Sequence, residues 1–266
     1  MMRYKKSAMT IVCAAIGISA SPMRAGAQTT YLYNGSGTQT PQSQGWLSEF
    51  APGATTVSTG GATTFNTSFD ASLEGGYSNY TVVGAVVNAA FPALNPNPGF
   101  SVGLDVQINS ESHSSNDRAG FDLIVLGSDN KGVELGFWGN DVWAQQYTGG
   151  EFTHDPSEDA DTQGGSAFAS TFTTEGSSYH YQLTIAGTNY SLMDDGVTIL
   201  TGQTHDYTAS AMLPYTLANY VFIGDDTSEA GASETFSTLS VTVPEPAIAS
   251  GLFAVGLAGL ARRRRR

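Results

Sequence analysis

The side chains best placed for chemistry in this sequence are acidic. Asp155, Glu158, Asp159 and Asp161 fall within one short stretch, and Asp225-Asp226-Thr227-Ser228-Glu229 gathers a second set of oxygen donors. Donors at this spacing could hold Ca2+, which takes about six to eight oxygens in adaptable geometry and is common in loops of extracellular proteins. Neither run has the spacing of an EF-hand or a glycine-rich repeat, and a solvated acidic loop needs no ion. A second chemistry is sugar stacking. Phe137-Trp138-Gly139-Asn140-Asp141-Val142-Trp143 sets Trp138 and Trp143 beside Asn140 and Asp141, ring faces next to hydrogen-bonding groups. Tryptophans also fill large cores, so the same strip is equally consistent with packing.

Covalent and metal-assisted hydrolysis find less support. The histidines His113, His154, His180 and His205 are not spaced as zinc ligands, and there is no Gly-x-Ser-x-Gly elbow. A retaining glycosidase needs two carboxylates about 5–5.5 Å apart. Asp122 and Glu134 could share one face of a hairpin, but an acid on a solvated sheet face is the ordinary explanation. The 155–161 acids are expected in a loop rich in Gly, Ser and Asp.

Charge narrows the partners. The chain of 266 residues has 24 acids, 11 Lys plus Arg and a formal charge of −13. Four basic residues precede residue 28 and five close the chain, so residues 28–246 hold all 24 acids with only Arg118 and Lys131, a net charge of −22. Two cations cannot neutralise a phosphate backbone, which excludes nucleic acid as a partner and disfavours anionic lipid.

The elements that must position these groups read as strands. Phe121, Leu123 and Val125 share one face while Asp122 faces the other, the period of two of a sheet with one core side. Ser128-Asp129-Asn130-Lys131-Gly132 turns this strand into Val133–Trp138, making a hairpin. Turns at 186–189 and 194–196 link three further short strands into a meander. Other strand-sized runs are 80–88, 100–108, 142–147, 220–223 and 236–243, and long amphipathic helices are absent. The expected fold is all-β, a two-sheet antiparallel sandwich over residues 28–243.

The ends have other purposes. Residues 1–27 combine a basic start, an apolar run from Met9 to Ile18 and small residues Ala25 and Ala27 at the cleavage positions, the pattern of a signal peptide cut by signal peptidase. Cleavage removes Cys13, the sole cysteine, so the mature domain relies on packing, with or without bound ions. Residues 244–266 open with Pro244-Glu245-Pro246, continue through the apolar stretch 247–261 and end in Arg262 to Arg266. Fifteen residues rise about 22 Å as a helix, short of a ~30 Å hydrocarbon core, and the arginines favour the cytoplasmic side.

This tail resembles the PEP-CTERM sorting signal of Gram-negative bacteria, in which the Pro-Glu-Pro motif directs processing by an exosortase. The resemblance implies an exported protein, transiently anchored in the inner membrane by a short helix, then released or attached at the cell surface or in extracellular polysaccharide. Residues 120–145 and 179–243 resemble a choice-of-anchor domain of exosortase-sorted proteins, itself similar to concanavalin A-like and laminin G jelly rolls. Gly120–Leu126, Gly132–Trp138, Val142–Gln145, Tyr190–Gly196 and above all Phe222-Ile223-Gly224-Asp225-Asp226-Thr227 carry it. The lectin-like jelly roll so implied would be framed by an N-terminal signal helix and the C-terminal anchor helix. The expected role is non-catalytic, a surface or biofilm matrix component with glycan binding as its activity. A glucanase-like hydrolase on the same fold is the alternative, although the Glu-x-Asp-x-x-Glu strand of such glucanases is missing.

Overall fold

In the computed structural model the described residues are 27–244, apart from 38, 82–85 and 170–172. Ala25, Glu245 and Pro246 lie outside them, as do both expected terminal helices. Among the described residues no helix is long and apolar enough to cross a membrane.

Strands dominate, as the alternating apolar pattern dictates. In chain order they are β1 Ala27–Asn34, β2 Leu47–Phe50, β3 Thr55–Thr59, β4 Ala62–Asn66, β5 Gly75–Ser78, β6 Tyr80–Thr81, β7 Val86–Val87 and β8 Phe100–His113. Then follow β9 Asp122–Leu126, β10 Gly132–Trp138, β11 Asp141–Thr148, β12 Glu151–Asp159, β13 Ser178–Ala186, β14 Asn189–Asp194, β15 Val197–Gln203, β16 Tyr220–Asp225 and β17 Ala230–Pro244. One sheet has the order β15-β14-β13-β8-β17-β4-β3, with β1 also pairing β17. The second has the order β12-β11-β10-β9-β16-β5-β2, and β6 and β7 pair separately. All pairings within these sheets are antiparallel. The two-sheet antiparallel sandwich expected from the sequence is the observed fold.

Between the sheets, Val102, Leu104 and Val106 of β8 meet Leu123 and Val125 of β9, Val133, Leu135 and Phe137 of β10, and Leu239 and Val241 of β17. The β9–β10 hairpin turns at Asn130, whose φ of 63° suits asparagine in a tight turn.

One departure matters for the site. The 155–161 acids do not occupy a loop: Asp155 to Asp159 close β12, and Ala160–Ala169 form the single α-helix α1 among the described residues. Pro156 is tolerated because β12 is an edge strand, paired only with β11. Gly164 and Gly165 weaken the helical pattern in the sequence, which is why it reads as a loop.

Candidate functional site

The outward face of the second sheet carries the acids, because strand alternation leaves it the residues that the core rejects. Asp122 and Glu134 do share this face, as the hairpin predicts. They are not solvated, however: Asp122 is 3% and Glu134 2% exposed. The cover is the segment after β15, where a 3-10 turn at Tyr207–Ser210 and the following loop lay Tyr207 and Tyr215 over the sheet. These rings join Ile124, Leu126, Tyr220 and Phe222 in a second, smaller core. Phe152 of β12 closes its side, 4.4 Å from Tyr215 between ring centres.

Beneath this lid three carboxylates converge. Oxygens of Asp122, Glu134 and Asp226 all lie within 4.8 Å of one another. Asp122 is placed by β9, where its neighbours across the ladder are Gly136 and Gly224. Glu134 is placed by β10, and Asp226 follows the last residue of β16 and folds back over the pair. Asp226 is exposed as a residue, so this corner of the cluster reaches the surface. The Tyr215 hydroxyl donates to Glu134 Oε2 at 2.6 Å and lies 3.2 Å from Asp226 Oδ2. Tyr207 donates its hydroxyl proton to the carbonyl of Gln145 and accepts from the Glu134 N–H at 3.2 Å. The Gln145 amide fits with its nitrogen toward Glu134 and its oxygen 3.1 Å from Arg118 Nη1.

Crowding shows in the acidities. Burial, then the charges of Asp226, Glu134 and Asp225, push the Asp122 carboxyl well above its usual range. Burial and Asp226 do the same to Glu134 against the opposing Tyr215 bond and Arg118 charge. Burial also raises Asp226, though contacts from Asp122, Tyr215 and Arg118 oppose it.

An open cleft of about 380 Å³ adjoins the cluster. Phe50, Tyr220 and Phe222 supply its rings and Glu74, Asp225 and Asp226 its acids. Asp225, next in sequence to Asp226, turns the other way: it is fully buried and accepts from Thr67 Oγ1 at 2.6 Å and from the Thr227 N–H at 3.1 Å. Burial outweighs those bonds and pushes its carboxyl up to about 8. The expected pairing of Asp225 with Asp226 in one calcium loop is therefore corrected.

The 155–161 acids also divide. Glu158 accepts from the Tyr190 hydroxyl at 2.8 Å, the Gln203 N–H at 2.8 Å and His205 Nε2 at 3.0 Å. Gly202 makes room, since a Cβ there would sit 2.3 Å from the Glu158 carboxyl carbon. Burial would raise Glu158, but the bonds from His205, Gln203 and Tyr190 prevail and hold it below its ordinary value. Asp155 joins this pair within ligand distance, yet its Oδ1 accepts from Ser157. Asp159 caps α1 by accepting from the Thr162 N–H at 2.8 Å, and exposed Asp161 lies in the first turn, so these two do not converge with the others.

The tryptophan strip is not an open platform. Trp143 is 1% exposed, packed over Gly136 and against His154, because Gly136 leaves a ring-sized gap on the neighbouring strand. Trp138 is half-buried, stacked on His113 at 4.5 Å with its Nε1 bonded to the Arg118 carbonyl. Asp141 is buried and accepts from the N–H groups of Val142 and Asp161, leaving Asn140 as the exposed member. Sequence reasoning missed the Tyr207–Tyr215 lid and the aromatic cleft, which draw their residues from separate segments.

Comparison with known proteins bears on the tail and the fold. Residues 242–266 match the PEP-CTERM protein-sorting motif. The C-terminus is a PEP-CTERM motif. It indicates export, processing by an exosortase, and a place at the cell surface or outside the cell. No curated protein matches the chain. Among solved structures, a carbohydrate esterase from the Shiga toxin-encoding bacteriophage phi24B is similar in fold, with 12% identity, a TM-score of 0.52, and coverage of 82% of this chain and 100% of that one. Botulinum neurotoxin type C (12%, TM-score 0.42, 76% of this chain) and alginate lyase A1-II' of polysaccharide lyase family 7 (13%, TM-score 0.40, 70% of this chain) also align. The chain spans 43% of the neurotoxin chain and 81% of the lyase.

Proposed function

We propose that the exported domain is a non-catalytic surface or matrix module that binds polysaccharide in the cleft beside the carboxylate cluster. The observation that carries this reading is a separation: the open cleft has rings and acceptors, Asp226 among them, whereas Asp122 and Glu134, the carboxylates that Asp226 would need for hydrolysis, are roofed by tyrosines. Half-buried Phe50 gives apolar surface for a sugar ring, with only the edges of Tyr220 and Phe222 reaching the cleft, and Glu74 and Asp226 accept from hydroxyls. With its acidic rim the cleft favours neutral or amino sugars over uronates.

The alternative, a carbohydrate hydrolase, draws on one observation of its own, the convergence of Glu134 and Asp226. It requires the 205–219 segment to lift, since a sugar cannot otherwise reach Glu134. A glycan array of neutral, amino and acidic oligosaccharides, probed with and without Ca2+, tests the binding reading. Binding weakened by Glu74→Gln and by Phe222→Ala supports it. No binding to any glycan leaves a structural role.

A further inference from the structure

We propose that Asp122, Glu134 and Asp226 form a site for one divalent cation, calcium by the chemistry of its donors. The three carboxylates come from β9, β10 and the turn after β16, so the sandwich itself fixes their spacing, and their oxygens already lie within 4.8 Å of one another. An independent observation points to a missing ligand. Asp122 is 97% shielded from solvent, and its Oδ2 accepts from no backbone N–H or neutral side-chain donor. Its carboxyl can bond only to that of Asp226, and only while one of the two holds a proton. Buried acceptors are almost always satisfied, and a sealed carboxylate beside two others calls for a positive partner.

Charge balance indicates the valence. Ionised around a bound cation the three carboxylates supply −3, and Arg118 is the cation acting on Glu134 and Asp226. The remainder of −2 is what a divalent ion neutralises. Hard carboxylate oxygens in irregular array select calcium over transition metals, and magnesium demands stricter octahedral geometry. Asp226, exposed on the cleft, gives the ion a route in. The other grouping of possible ligands lacks this deficit, since Glu158 is satisfied by three donors and Asp155 by Ser157. The cation site does not depend on the cleft binding glycan, and it is tested with metal alone.

The test is terbium luminescence on the exported protein after EDTA treatment and dialysis, with tyrosine excitation, because the Tyr215 hydroxyl lies 2.6 Å from Glu134. Calcium titration calorimetry accompanies it. Sensitised terbium emission displaced by CaCl2, with one calcium bound per chain, is expected. Asp226→Asn and Glu134→Gln should each weaken both signals about tenfold or more, and Asp155→Asn less than about twofold. Asp226 is at the surface, so its isosteric variant keeps the fold, which circular dichroism checks. Absence of both emission and heat overturns the site. Loss in Asp155→Asn with retention in Asp226→Asn overturns it as well, by moving the ion to the other grouping.

Discussion

Two acidic clusters lie on the same molecule and differ in how they are satisfied. Around Glu158 every acceptor has its donor: a tyrosine hydroxyl, a backbone N–H and an imidazole. Around Asp122 the donors run out: the Tyr215 hydroxyl is shared between Glu134 and Asp226, the Gln145 amide serves Glu134, and no N–H or neutral donor reaches Asp122 Oδ2. The carboxyl acidities move in opposite directions, Glu158 down and Asp122 up. Proximity of acids is therefore a poor guide to ligand binding, and the balance of donors against acceptors is a better one.

The sharpest way to break this contrast is to remove the satisfied acid. Glu158→Ala strands the buried Tyr190 hydroxyl and the Gln203 N–H, and should cost about 3 kcal/mol in urea unfolding. A loss near zero would show that the hub contributes nothing.

Next comes Glu234, fully buried with both carboxylate oxygens lacking a hydrogen-bond partner. Glu234→Met keeps the volume while removing the unpaired group, and should stabilise the protein by about 2 kcal/mol at pH 7. Burial, then Asp225, holds Glu234 well above its ordinary value of 4.5. The folded state therefore binds the extra proton, and its stability falls as pH rises above about 4.5. The Met variant should show a shallower fall in melting temperature from pH 5 to 8, and parallel curves would contradict the assignment.

A smaller effect is expected from Asp122→Asn in EDTA. Relief of repulsion should raise stability by about 1 kcal/mol, or roughly 2–4 °C in melting temperature. Destabilisation would mean that the cluster is already balanced.

Smallest is the effect of Asp141, whose carboxyl is raised to about 6 by burial and by Asp159, against the bonds from Asp161 and Val142. Stability from this group is lost between about pH 4 and 6 as pH rises, and Asp141→Asn should flatten that interval by on the order of 1 kcal/mol.

Much of the frame is legible in the sequence. Alternation in Phe121 to Leu126 and Val133 to Trp138 predicts the β9–β10 hairpin, its core face and the shared face of Asp122 and Glu134. Their burial was not legible, because it comes from Tyr207 and Tyr215, some 70 to 90 residues further along the chain. The same limit applies to Trp143: alternation sends it away from the Val142 and Ala144 core face, but only the fold shows His154 and Trp138 packed over it. Asp225 and Asp226 looked equivalent as neighbours. Extended backbone sends successive side chains to opposite faces, so one caps the interior and the other joins the cluster.

The proposed role rests on an open cleft that binds while Asp122 and Glu134 beside it stay sealed. Affinity electrophoresis of the exported protein through gels containing a neutral polysaccharide, with reducing ends assayed in the same lanes, tests this most directly. Retarded migration that Glu74→Gln and Phe222→Ala relieve, without new reducing ends, is the predicted result. Unretarded migration, or reducing ends that disappear in Glu134→Gln, would contradict it.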